Sequence, residues 1–308
     1  MRQLKRGKLR LKKFLFGGKE GNTVDDNSIF LLSVKGITNN TTFSWFIFLY
    51  YNYLMNLLQT IILSIVEGIT EFLPISSTGH LILVTNLLKI QHTEFVKSFE
   101  IIIQLGAILA VVVIYFKKLV LSLNWNLYKN ILIAFLPSTI IGLVAYKYIK
   151  MYLIGNSAIV IWSLLIGGIV MLLFEKFYQP TINKQLTTKN YLAIGLFQIL
   201  SMIPGVSRAF ATIFGGMVVG MNRKEATEFS FFLAIPTMIG ASALDLYKTD
   251  ISVWSTNDYQ LLAVGFIGSF ITAFVVIKWL INFVQKNDFK IFGWYRITLA
   301  LVFLLFMI

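Results

Sequence analysis

The chain has 308 residues, 57% of them hydrophobic and 13% charged, with a formal net charge of +13 and no cysteine; its mean hydropathy is +0.76. So apolar a chain of this size excludes a water-soluble domain, and the missing thiols exclude disulfides, thiolate metal centres and cysteine nucleophiles. The positive charge does not signal nucleic acid: residues 1–20 hold eight Lys or Arg against one Glu, and beyond residue 54 the balance falls to 18 basic against 11 acidic, which suits a membrane protein with basic loops.

Residues 1–54 open on a basic head, "MRQLKRGKLRLKKF", followed by a polar Gly/Asn/Asp/Thr stretch. They lack the basic, apolar, small-residue order of a secretory signal and read as a basic, poorly ordered N-terminal extension. The apolar run that begins at Phe43 could add a membrane-embedded turn or helix. Equally, "MNLLQTIILSIVEG" would be a natural beginning for the membrane unit, with translation starting at Met55 rather than Met1. Residues 55–308 form a single integral membrane domain on either reading.

Crossing the ~30 Å hydrocarbon core takes about 20 apolar residues. Runs at 99–116, 131–146, 158–174, 230–247, 261–283 and 291–308 approach that length and predict about six transmembrane helices. Polar residues interrupt the apolar text twice, as "EGITEFLPISSTGH" at 67–80 and "SMIPGVSRAFATIFGG" at 201–216. The apolar arms beside them (57–66 and 81–88, 191–203 and 213–219) are too short to span, so each motif reads as the tip of a re-entrant hairpin whose backbone must be satisfied by protein or trapped water.

"SFEIIIQLGAILAVVVIY" at 98–115 and "SFFLAIPTMIGASALDLY" at 230–247 echo each other and suggest a repeat of about 130 residues. If hairpins re-emerge where they entered and long runs cross once, one face collects eleven Lys or Arg in its loops and the other five. The richer face is cytoplasmic. The first hairpin then enters from outside and the second from inside. The fold class is all-α: a polytopic membrane protein of about six transmembrane helices plus two re-entrant helical hairpins in an inverted-topology repeat, whose broken tips meet near the midplane to form a site.

Glu67 and Glu71, four apart, share one helix face, with Cβ atoms ~6 Å apart. A charge within the bilayer costs ~2.5 kcal/mol or more, so the pair needs a purpose: gripping a divalent cation, or one carboxylate acting as base while its neighbour orients a partner. The plain alternative is a pair of side chains facing water at a helix end. After Pro74 the chain leaves the helix, and Ser76, Ser77, Thr78 and Gly79 lead into a new helix at about His80, whose start is a seat for an anion. The hydroxyls could instead only cap that helix, and His80 could be a packing residue. His92, beside Thr93 and Glu94 in a loop, is given no role.

In the second motif Gly205, Ser207 and Thr212 surround Arg208, whose planar fork matches phosphate oxygens. In a resting protein Arg208 could pair with Glu67 or Glu71. Together these groups fit phosphoryl transfer from a lipid-linked phosphate to water, where positioning and charge neutralisation supply most of the rate.

At these two motifs, and in the "SFEIIIQLGAILAVVVIY" and "EFSFFLAIPTMIGASALDLYK" text, the chain resembles the undecaprenyl-diphosphatase family, also called bacitracin-resistance proteins, over essentially residues 55–308. The resemblance implies hydrolysis of undecaprenyl diphosphate to the monophosphate, recycling of the carrier lipid for cell-wall synthesis, bacitracin tolerance, and a bacterial inner-membrane location with the site open to the periplasm. It places the functional residues at Glu67, Glu71, Ser77, His80 and Arg208, with Ser76, Thr78 and Ser207 as neighbours. Ala209 and Phe210 stand where the family's second motif usually has Ser-Gly. A hydroxyl is lost, and Phe tolerates positive φ far less readily than Gly, so the tip geometry and the turnover are expected to depart from the family's, with Arg208 and Thr212 retained.

The expected partners are the polyprenyl diphosphate substrate and membrane lipids, not nucleic acid. Ser77 would attack the terminal phosphorus with His80 or Glu71 taking its proton, or water would attack directly with Ser77 only binding. Arg208 and backbone N–H groups, with Ser76, Thr78, Gly205, Ser207 and Thr212, would hold the headgroup. Glu67 and Glu71 are candidate ligands for Mg²⁺ or Ca²⁺; no organic cofactor is expected. A transporter of anions or lipid phosphates could use the same inverted repeats, and a structural membrane subunit would leave the polar tips unexplained. Ser77 with His80 favours an enzyme, because anion transport needs donors but no proton acceptor beside a hydroxyl.

Overall fold

A computed structural model describes residues 55–148, 157–179 and 185–307, which lie in one compact unit. The expectations for residues 1–54 fall outside the described residues. The first hairpin is α1 (Leu57–Thr70) and α2 (Ser77–Leu87), followed by α3 (Glu94–Ile114), α4 (Trp125–Tyr148) and α5 (Ser157–Phe177). The second is α6 (Thr188–Ile199) and α7 (Arg208–Val218), followed by α8 (Arg223–Lys248), α9 (Thr256–Val284) and α10 (Lys290–Met307). No strand occurs among the described residues.

Among the described residues five helices, α3, α4, α5, α8 and α9, are long and apolar enough to cross a membrane. The sixth expected span is α10, with 18 residues, ~27 Å at a rise of 1.5 Å per residue. Several helices begin earlier than their apolar runs because polar turns start them. Thr93 accepts from Val96 N–H ahead of α3, and Asn222 and Glu225 form a reciprocal capping box at the start of α8.

The two halves interlock reciprocally. Arm α1 of the first hairpin packs on α9, a helix of the second half, while arm α6 of the second hairpin packs on α4, a helix of the first. Both crossings are made at a glycine. A Cβ on Gly68 would lie 2.6 Å from Thr272 Cβ, and one on Gly195 would lie 2.2 Å from the Ala134 carbonyl oxygen. Within a bilayer, where lipid is as apolar as Leu, such close backbone approach supplies much of the packing attraction. The spans α3 and α8 touch each other, as do α5 and α10. Around this frame the hairpin tips are buried: Phe72 in the first tip is fully buried and meets Phe231 of α8 edge to face at 5.1 Å.

Candidate active site

Each hairpin tip is a break followed by a capped helix. Helix α1 ends at Glu71, the chain turns through residues 72–75, and Ser76 caps α2 by accepting from Gly79 N–H at 3.3 Å. Ser76 adopts φ +75°, in the left-handed region, an uncommon conformation for a residue with a Cβ. In the second tip Gly205 turns the chain at φ +91°, and Ser207 caps α7 by accepting from Phe210 N–H at 3.2 Å. Gly205 is required twice over: a Cβ there would also sit 2.6 Å from the Val160 carbonyl oxygen.

The tips meet. Ser207 Oγ donates to the Leu73 carbonyl at 3.3 Å, and Arg208 Nη2 donates to Glu71 Oε1 at 2.7 Å across 137 residues of sequence. The other oxygen of Glu71 accepts from Ser77 Oγ at 2.5 Å. Arg208 also donates through Nη1 to the Ser230 carbonyl at 2.9 Å, and its Nε–H is buried without a partner. Ser77, Glu71 and Arg208 thus form one line in which a hydroxyl faces a carboxylate and the carboxylate faces a guanidinium. Surrounding protein excludes nearly all water from it, since Ser77 is 8% exposed and Glu71 4%. Thr78 lies at the exposed rim.

Glu67 lies one turn before Glu71, fully buried, and neither of its oxygens has a hydrogen-bond partner. Neither carboxylate is therefore a water-facing side chain at a helix end. Among the described residues no three His, Asp or Glu side chains gather to hold a metal. Two adjacent carboxylates, one with both oxygens free, are nonetheless the protein complement that Mg²⁺ uses when substrate phosphates complete its shell.

His80 lies in the cluster but does not face the Ser77 hydroxyl. Its Nδ1 is 2.7 Å from the Ser76 carbonyl oxygen and its Nε2 2.7 Å from Tyr295 Oη. Thr212 likewise supports rather than lines the site, donating to the Arg208 carbonyl at 2.9 Å and meeting Ser230 Oγ at 2.7 Å. His92 is exposed, its nearest partner being Asn86 at 3.5 Å.

The tip does not place Phe210 at positive φ. Phe210 lies in the first turn of α7, and the only non-glycine residues at positive φ among those described are Ser76, Lys89 and Leu123. The turn itself is made earlier, at Gly205. Phe210 instead packs against Phe214 at 4.5 Å and beneath the Arg296 guanidinium at 5.2 Å.

Arg296 and Tyr295, on α10, were missed. Arg296 is fully buried and donates only to main-chain oxygens: Pro74 at 3.2 Å, Ser163 at 3.0 Å, Gly205 at 3.0 Å and Leu164 at 3.4 Å. Pro74 and Gly205 belong to opposite tips, so one guanidinium ties both breaks together, and Gly167 leaves it room, since a Cβ there would fall 2.2 Å from Nη2. A signal was present: "GWYRITLAL" puts an arginine in an apolar run, and a charge in a membrane helix marks a functional position by default.

The family model described as "Bacitracin resistance protein BacA" matches residues 60–302. The chain is 51% identical over 252 residues to an undecaprenyl-diphosphatase of Aquifex aeolicus, covering 80% of this chain and 97% of the relative. It is 50% identical over 256 residues to one of Sulfurihydrogenibium sp., covering 82% and 99%, and 46% identical over 256 residues to one of Bdellovibrio bacteriovorus, covering 82% and 96%.

Proposed function

The chain belongs to the bacitracin resistance protein BacA family, and we propose from that premise how its buried Ser77–Glu71–Arg208 line performs the reaction. The protein is a multi-pass membrane phosphatase that hydrolyses undecaprenyl diphosphate to undecaprenyl phosphate and inorganic phosphate, which recycles the lipid carrier for cell-wall synthesis and confers tolerance to bacitracin. It lies in the bacterial inner membrane with the site open to the periplasm, an orientation supported by the eleven-to-five excess of basic loop residues on the opposite face.

One observation carries the mechanism: the 2.5 Å bond from Ser77 Oγ to Glu71 Oε2, with Arg208 on the second carboxylate oxygen. A hydroxyl aimed at a carboxylate is a nucleophile beside its base. The diphosphate draws the Arg208 fork onto its own oxygens, assisted by the N-terminus of α2. Ser77 Oγ attacks the terminal phosphorus and gives its proton to Glu71, which passes it to the bridging oxygen as the bond from that phosphorus breaks, releasing undecaprenyl phosphate and leaving Glu71 ionised. Water, deprotonated by Glu71, then attacks the phosphoserine, freeing inorganic phosphate and restoring the Ser77 hydroxyl. His80 holds the turn rather than taking the Ser77 proton, because its two nitrogens are engaged by Ser76 and Tyr295. Mg²⁺ or Ca²⁺ on Glu67 and Glu71 would neutralise headgroup charge when bound.

A transporter of the same architecture would need the arginine and the helix terminus but not a carboxylate on a hydroxyl. The test is phosphate release from undecaprenyl diphosphate by purified protein in detergent, with and without EDTA. Ser77→Ala should lower turnover by at least ~10³-fold; near-full hydrolysis by that variant would eliminate the covalent route in favour of direct attack by water.

A further inference from the structure

Tyr295 and His80 are 215 residues apart, yet their rings lie parallel at 5.6 Å and Tyr295 Oη is 2.7 Å from His80 Nε2. The other ring nitrogen, Nδ1, is 2.7 Å from the Ser76 carbonyl oxygen. A carbonyl oxygen only accepts, so Nδ1 carries the hydrogen; in the neutral ring Nε2 is then the acceptor, and Tyr295 is its donor. The Ser76 carbonyl is gripped twice, by Nδ1–H and by the His80 backbone N–H at 3.1 Å. Ser76 is also the residue at φ +75° immediately before the Ser77 nucleophile. A side chain in the left-handed region persists only when its surroundings over-determine it. In this tip the over-determination runs from α10 through Tyr295 to His80 to Ser76.

We propose that Tyr295 is a positioning residue for the hydrolytic reaction: by donating to His80 Nε2 it holds the imidazole in the Nδ1–H tautomer, which locks Ser76 and presents the Ser77 hydroxyl to Glu71. This rests on the reading of Ser77 and Glu71 given above. Arg296, the next residue, grips the Pro74 carbonyl on the other side of the same turn, so α10 fixes the nucleophile's loop from both ends.

The test uses the full protein in detergent with ¹⁵N-labelled histidine. The chain has two histidines, and His92→Asn at the exposed one leaves His80 as the only signal. The parent should show the Nδ1–H tautomer; an Nε2–H ring in the parent overturns the proposal whatever any variant does. In Tyr295→Phe, which keeps the stacked ring, Nε2 loses its donor, so its ¹⁵N shift should move toward that of an unbonded imidazole nitrogen. Its kcat for phosphate release should fall about tenfold, on the scale of one lost hydrogen bond, with KM within about twofold. In a His80→Ala background the same substitution should cost nothing further. Unchanged nitrogen shifts in Tyr295→Phe, a loss confined to KM, or a full additional loss in His80→Ala each refute it. Phosphate release by the parent, measured alongside, tests the hydrolytic reading separately.

Discussion

Replacing Arg296 by lysine keeps the buried charge and removes the planar fork, so it separates the two roles this residue could have. The guanidinium satisfies four carbonyl oxygens, on Pro74, Ser163, Leu164 and Gly205, which surround it in different directions. An ammonium presents its three donors from a single point and cannot follow that spread, so two of the four carbonyls lose their Arg296 donor. The Ser163 and Leu164 carbonyls keep the N–H donors of their own helix, so the carbonyl left unpaired is the one from a tip, at about 1–3 kcal/mol, or about 2 kcal/mol for Arg296→Lys. For a unit of this size that lowers the unfolding midpoint by roughly 6 °C. The two freed carbonyls include one from a tip, and a tip displaced by about 1 Å loses on the order of 10²-fold in rate. Thermal unfolding in detergent and phosphate release on the same preparation measure both. If Arg296→Lys matched the parent in stability and turnover, the fork would be irrelevant and the charge alone would account for the residue.

Phe210→Gly restores the glycine usual in the family and should nonetheless destabilise. It empties a buried ring site, at about 3 kcal/mol, and removes the cation–π contact with Arg296, at about 1 kcal/mol; a variant at least as heat-stable as the parent in detergent would show that the ring strains the tip after all. Glu67→Gln removes the carboxylate whose two oxygens lack partners. The Mg²⁺ concentration giving half-maximal phosphate release should rise at least ~10-fold, and an unmoved midpoint in a Mg²⁺ titration after EDTA treatment would take the metal away from this residue.

The amino-acid sequence by itself determined that the chain is a helical membrane protein broken at two polar tips, because apolar length, proline and clustered hydroxyls are local properties read along the chain. The pairing of Glu67 with Glu71 on one face followed from their spacing of four, and the convergence of the tips from counting crossings and basic loops. Which residue faces which needed the tertiary structure. Spacing cannot tell that Glu71 and not His80 meets the Ser77 hydroxyl, since both lie within a few residues of it and the left-handed Ser76 decides which way each points. Phe210 looked misplaced because the motif does not say where the turn ends; the backbone reverses at Gly205 and is already helical at Arg208. Tyr295 and Arg296 act through contacts across more than 200 residues, and such contacts leave no periodic trace in a single sequence. They exist because α10 packs on α5 closely enough, at Gly167 and Gly168, to deliver two polar side chains to the point where both hairpins leave their own carbonyl groups unpaired.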